Sequence, residues 1–217
     1  MSLDSKVIWT EGMFLNPQHF QQQERYFERY VEGKVSAYGS YGWGLQDFEL
    51  DRELLKLGKI SIIRAKGVFP DGTPFSFPEQ DEAPPVLDIP TNTHNTIVYL
   101  GVPVRRPGGV DVLLDDDDQG LARYFSAEQS IRDVTLEGSD NIPINIGKLR
   151  IRLLLESDDL SGYACIGVVR IAESRDDKNV ILDDGYIPSC LDVSKIPGLA
   201  AFLAELAGLL HHRGESI

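Results

Sequence analysis

Between residues 43 and 184 the chain carries at least six β-patterned runs in succession, with turn chemistry between them and no helical period among them. Strands joined by short turns pair antiparallel, whereas a parallel sheet needs long, usually helical, crossovers. The runs cover residues 44–50, 59–69, 73–77, 96–104, 148–155 and 163–172, with a shorter one at 179–182. Asp71-Gly72 between the second and third is a hairpin signal. Residues 79–90 are proline-rich and acidic, 115–120 are acidic, and 157–162 are polar, so all three read as loops. An antiparallel sandwich or barrel follows, in preference to a parallel α/β sheet.

Helical patterns occupy the two ends. Asn16 is a good N-cap and Pro17 suits the first helical position, where its missing N–H costs nothing. From residue 17 to about 35, Phe20, Phe27, Val31 and Val35 recur at spacings of seven and four, which is one helical face. Tyr26 and Tyr30 lie beside it, and Gly39, Gly42 and Gly44 end the pattern. A last helix begins near Pro197 and breaks at Gly214. In it Leu199, Phe202, Leu203, Leu206, Leu209 and Leu210 follow at spacings of 3, 1, 3, 3 and 1, a seam of the bundle or coiled-coil kind. Such a seam either docks on the strands or begins a bundle in an oligomer.

With 34 acidic and 21 basic side chains the net charge is −13. Phosphate-rich partners require clustered Lys and Arg, so neither nucleic acid nor an anionic membrane is an expected partner. The two cysteines, Cys165 and Cys190, make neither a disulfide framework nor a four-ligand zinc site, and read as reduced thiols in a cytoplasmic protein. Asp4, Lys6 and Glu11 stand where a signal peptide would need an apolar stretch. The longest apolar stretch, residues 198–210, contains Glu205 and falls short of the ~20 residues of a membrane span.

The motifs that could carry chemistry read as structure. Gly39, Gly42 and Gly44 follow a helix and match neither a dinucleotide fingerprint nor a Walker loop. Asp115, Asp117 and Gly120 fit the first, third and sixth positions of a calcium loop, but the twelfth is Ser126 in place of the required Glu. His19, His94, His211 and His212 form no HExxH, and His211 and His212, adjacent on a helix, cannot converge on one metal. There is no GxSxG elbow, and neither cysteine has a nucleophile context. No catalytic residue, metal, cofactor or small-molecule substrate is expected.

The segment Trp9-Thr10-Glu11-Gly12-Met13-Phe14-Leu15-Asn16-Pro17-Gln18-His19-Phe20-Gln21-Gln22-Gln23-Glu24-Arg25-Tyr26 resembles the N-terminal signature of the TssK family, baseplate subunits of the bacterial type VI secretion system. Gly42-Trp43-Gly44-Leu45 and Tyr186-Ile187-Pro188 add weaker similarity. The resemblance implies a β-sandwich shoulder like that of phage receptor-binding proteins, a helical neck and a C-terminal head in a homotrimer. The shoulder would join the TssF–TssG wedge, and the head would contact the membrane complex. On this basis residues 1–16 are an N-terminal arm, 17–190 the lead helix with the shoulder, and 191–217 the start of the neck. Most of the neck and the whole head would lie outside this chain. The role implied is assembly at a cytoplasmic, inner-membrane-associated baseplate, not catalysis.

Trp9, Met13, Phe14 and Leu15 of the arm are candidate docking anchors, since aromatic and large apolar side chains dominate interfaces. The competing expectation, strongest for Phe14 and Leu15, is that they fold back as core. The competing function is a free-standing β-sandwich binding module for a glycan or receptor, with Tyr41 and Trp43 as its aromatic platform.

Overall fold

A computed structural model describes residues 4–114, 120–135 and 140–215. The chain divides into two compact units, residues 1–42 and 43–217. The first holds helix α1 (Pro17–Tyr38). The second begins with β1 (Gly44–Leu50), a single turn α2 (Arg52–Leu55), β2 (Lys59–Ile60), β3 (Ile62–Val68), β4 (Pro74–Phe77) and β5 (Leu87–Asp88). It continues through β6 (His94–Pro103), β7 (Val112–Leu113), β8 (Tyr124–Ile131), β9 (Ile142–Leu149), β10 (Arg152–Leu155), β11 (Tyr163–Ser174) and β12 (Val180–Leu182), and closes with α3 (Pro197–Glu215).

The second unit is mainly β, as its alternating runs require. A three-stranded sheet has the order β1-β3-β4 and a four-stranded sheet the order β10-β6-β11-β12, both antiparallel throughout. Leu45, Ile62, Ala65, Phe75 and Phe77 of the first sheet share one core with Val98, Leu100, Val102, Ile166 and Ile171 of the second. The hairpin turn falls at Asp71-Gly72, where Phe69 N–H donates to Thr73 O at 2.8 Å and Asp71 Oδ1 accepts from Thr73 N–H at 3.1 Å. It brings Phe69 and Phe75 to 4.5 Å between ring centres.

Strand β11 shows how one extra residue keeps a long strand in the core. Ala164, Ile166 and Val168 are buried at period two, and Val169 and Ile171 then continue in the opposite phase. Against β6 the register slips between Gly167 and Val169, which pair with Tyr99 and Val98. A bulge there re-aims the strand without exposing its apolar set.

The guanidinium of Arg123 ties the two sheets at one end. Although buried, it donates to Pro103 O at 2.6 Å, to Asp71 Oδ2 at 2.7 Å and to Thr73 Oγ1. The end of β6, the β3–β4 turn and the start of β8 thus meet on one charged group whose donors are shared among three segments.

Residues 189–191 run along the free edge of β1. Leu45 N–H donates to Ser189 O at 2.9 Å, Leu191 N–H donates to Leu45 O at 2.7 Å, and Leu45 and Cys190 form an isolated parallel bridge. A short 3₁₀ turn, Val193–Lys195, capped by Asp192, then hands the chain to α3. Leu45, in one weaker similarity segment, thus pairs with the residues that directly follow the other, Tyr186-Ile187-Pro188.

Several expectations needed correction. The run at 148–155 is not one strand: β9 ends at Leu149 and β10 begins at Arg152. Between them Arg150 is buried, with its side chain donating to Gly120 O at 2.8 Å. The β8–β9 ribbon was not foreseen, although Ile142, Ile144 and Ile146 alternate; a proline such as Pro143 within a run weakens the strand pattern. The loop at 79–90 contains β5, which pairs with β2. Helix α1 runs three residues past Val35, and α3 runs through Gly214 to Glu215. The calcium-like run at 115–119 lies outside the described residues.

On the outer face of the four-stranded sheet, Gly167 makes room for Tyr186. A Cβ at Gly167 would collide with the Tyr186 hydroxyl oxygen and come within 3.2 Å of Ile97 Cγ2. The Tyr186 ring is in turn covered by the Arg170 guanidinium at 5.1 Å from its centre. We expect Gly167→Ala to cost about 1–3 kcal/mol, as overpacking does. Tyr186→Phe, which removes the colliding oxygen, should recover part of that loss in the double variant. Thermal melts of the two single variants and the double test this, and purely additive losses would contradict the packing described.

Candidate protein-interface surfaces

The N-terminal arm is held against the first turns of α1 by three contacts. Gly12, with φ +76°, occupies the third position of a turn closed by Met13 N–H donating to Thr10 O at 3.4 Å. That position of a type II turn takes a positive φ, which glycine adopts freely. The turn sends the chain back so that the Trp9 ring lies 6.2 Å from the His19 ring and 6.3 Å from the Phe20 ring. Gln22 Nε2 donates to Ser5 O at 2.7 Å and fixes the start of the arm.

His19 closes the helix start. Its backbone N–H donates to Asn16 O at 3.0 Å, and its ring Nδ1 accepts from Asn16 N–H at 3.0 Å. The second bond is the reciprocal half of a capping box, made by an imidazole where Glu or Gln usually stands. Asn16 and Pro17 were legible as a helix start; the part played by His19 was not, because the familiar signature is a carboxylate or amide at that position.

The four arm candidates differ in what they touch. Trp9 is half-exposed and packs on His19 and Phe20, and Met13 is partly buried. Phe14 is 91% exposed and Leu15 59% exposed, so the expectation that they serve as core is not met. Helix α1 has no buried residue, and its predicted face, Phe20, Phe27, Val31 and Val35, lies exposed. Tyr26 stacks on Tyr30 with ring centres 6.2 Å apart, and Lys34 Nζ lies 4.7 Å from the Tyr30 ring centre.

The seam of α3 is likewise open. Leu199 is partly buried, whereas Phe202, Leu203, Leu206, Leu209 and Leu210 are exposed. At helical spacing all six fall within one broad stripe. The helix is anchored at its start, where Ala200 N–H donates to the carbonyl of buried Ile196 at 2.8 Å.

A third apolar surface, missed from sequence, lies on the β8–β9 ribbon. Ile131 pairs with Ile142, Gln129 with Ile144 and Ala127 with Ile146, which places the three isoleucines of β9 on one face with Ile131. Ile131, Ile142 and Ile144 are exposed.

The two aromatic residues considered for a glycan differ in exposure. Tyr41 is exposed, but Trp43 packs against the core of the β unit. Cys165 lies opposite Gly101 on β6, with its Sγ 3.2 Å from where a Gly101 Cβ would sit. Burial pushes its thiol up to about 11, away from the thiolate that nucleophilic chemistry uses. No helix among the described residues is long and apolar enough to cross a membrane.

The family model described as bacterial type VI secretion, VC_A0110, EvfL, ImpJ, VasE matches residues 19–217. The chain belongs to this family. The type VI secretion system baseplate component TssK1 of Pseudomonas aeruginosa is 44% identical over all 217 residues, which cover 49% of that protein. The chain thus spans about half the length of the curated relative it matches. A crystal structure of TssK superposes with a TM-score of 0.91 at 39% identity, over 98% of this chain and 48% of that one. A chain in the cryo-electron microscopy structure of a TssK–TssF–TssG baseplate subcomplex superposes with a TM-score of 0.83 at 24% identity, over 96% of this chain and 68% of that one. These matches bear out the resemblance read from residues 9–26 and the mainly β, helix-flanked fold.

The environment of Cys165 has a direct consequence. Because only the thiolate alkylates, reaction of Cys165 with iodoacetamide should remain slow at pH 8 and climb with pH until about 11. Mass spectrometry of timed quenches checks this. A rate at Cys165 that levels off below pH 9 would contradict the burial described.

Proposed function

We propose that this chain is a non-enzymatic structural part of a type VI secretion baseplate subunit. Its β unit and N-terminal arm dock on the wedge proteins TssF and TssG, and its last helix begins a neck that joins three copies. The domain reading follows: arm at 1–16, lead helix and shoulder at 17–190, neck from 191. A head beyond the neck contacts the membrane complex and keeps the assembly at the cytoplasmic face of the inner membrane. Neither nucleic acid nor a small-molecule substrate takes part.

The observation that carries this reading is the family match over nearly the whole chain, together with the relative found in a subcomplex with TssF and TssG. The surfaces are consistent with it. Phe14 and Leu15 project from an arm that is already held in place, so docking them orders little additional chain. The α3 seam exposes apolar side chains at bundle spacing, which is what a helix does when its partners are other helices.

Two experiments test the proposal in the full-length protein. Phe14→Ala with Leu15→Ala removes exposed side chains without touching the core. It should weaken capture of co-expressed TssF–TssG by about tenfold or more, the scale of interface hot spots. Trp9→Ala with Met13→Ala should do the same with the fold retained by circular dichroism, and unchanged capture in both variants would refute the arm as docking surface. Leu203→Asp with Leu206→Asp should reduce the mass in light scattering from three copies to one. A mass unaltered by that pair, or a wild-type protein that is already monomeric, would remove the neck assignment.

A further inference from the structure

We infer that residues 189–196 form a separable joint: α3 and its root open from the β unit as one piece while the core stays folded, and the clasp on Leu45 holds the closed state. The chain differs sharply on the two sides of this joint. Before it, Tyr186 lies over Gly167 and Pro188 is buried, which fixes the chain to the β unit. After it, every residue from Ala201 to Gly214 is exposed. Within the joint Ile196 is buried, yet it stands outside the core that the two sheets share. Among the described residues, that core draws on nothing after Leu182. Lifting residues 189–215 away uncovers little more than Ile196 and part of Leu199, and removes no member of the shared core. A segment with so few buried apolar contacts opens far more readily than the strands beside it.

The hold on the joint is made by backbone. Leu45 N–H donates to Ser189 O at 2.9 Å, and Leu45 O accepts from Leu191 N–H at 2.7 Å. Both bonds grip a residue whose side chain is fully buried and which β3 holds on its other side, so Leu45 does not leave with the segment. Two hydrogen bonds at a strand edge are a modest hold, because water replaces them when they break. Gly44 lets the segment come this close. Its φ is +133°, and a Cβ there would lie 2.8 Å from Ser189 O, 2.9 Å from Ser189 C and 3.0 Å from Cys190 N. These are backbone atoms of the clasp, so any side chain at residue 44 works against the closed joint. Closing also covers the edge of β1, which when bare offers a template to a foreign strand. The inference concerns how α3 is joined to its own β unit. It needs no partner and stands apart from the neck proposal.

Two probes at opposite ends of the joint test it in the intact protein without partners. One is hydrogen exchange at the Leu45 amide, and the other is the rate at which trypsin cuts after Lys195, read from the mass of the fragment 196–217. Leu45, although buried, should be protected at least about tenfold less than the amides of β6 and β11. Leu191→Pro removes the donor to Leu45 O. It should lower protection at Leu45 by about fivefold, the scale of one hydrogen bond, with β6 and β11 unchanged. Cleavage after Lys195 should rise by the same factor, since it follows the population of the open form. Gly44→Ala should shift both probes in the same direction. Leu191→Ala, which keeps the N–H, should match the wild type in both. Leu45 protected as well as β6 and β11 in the wild type would overturn the joint. So would equal losses in Leu191→Ala and Leu191→Pro, a loss in Leu191→Pro that extends to β6 and β11, or cleavage after Lys195 that does not follow the Leu45 amide. Because oligomeric mass is not read, failure here leaves the neck proposal standing, and failure of the neck leaves the joint standing.

Discussion

The structure depends on one apolar core built mostly from the two antiparallel sheets. Residues from Leu45 to Val180 form it, drawn from the inner faces of the β1-β3-β4 and β10-β6-β11-β12 sheets and from short elements beside them. Two sheets that share a core bury their alternate side chains in it, and Leu55 of α2 adds to the interior beside them. The bulge in β11 and the shared guanidinium of Arg123 serve this closure. One keeps a long strand in phase with the core, and the other fastens the turn of one sheet to the end of the other.

The two long helices, each in its own unit, both carry apolar faces that stay open. Helix α1 has no buried residue, and α3 exposes most of its leucine seam. For a chain of net charge −13, well able to keep polar residues on its surface, such stripes are a specific feature and not a shortage of charge. They are where an assembly protein would be expected to meet its partners. The edge clasp of residues 189–191 on β1 sets where the second of these helices starts.

Much of this was legible in the sequence because the periods are local. The alternation at 44–50, the Asp71-Gly72 turn and the Asn16-Pro17 helix start each encode their conformation within a few residues. The β8–β9 ribbon was harder, since Pro143 sits inside an otherwise alternating run and a proline on an edge strand looks, in sequence, like the end of a strand. The role of His19 was not legible because that position of a capping box usually holds a carboxylate or amide. The exposure of Phe14 and Leu15 was not legible either, since it depends on where the arm folds back, and that is decided by contacts of Trp9 and Ser5 with side chains ten or more residues away. Gly167 and Tyr186 are the same lesson in the β unit: neither residue alone announces that one is small because the other lies over it.

The most direct test of the assembly role is hydrogen–deuterium exchange of the full-length protein, alone and in complex with TssF–TssG. Helix α3 should be protected already in the free protein by its own copies. New protection should appear on complex formation over the arm and the start of α1, with the strands of the core unchanged. Slow exchange confined to the core strands in both states, with the arm and α3 exchanging as freely in the complex as alone, would contradict it.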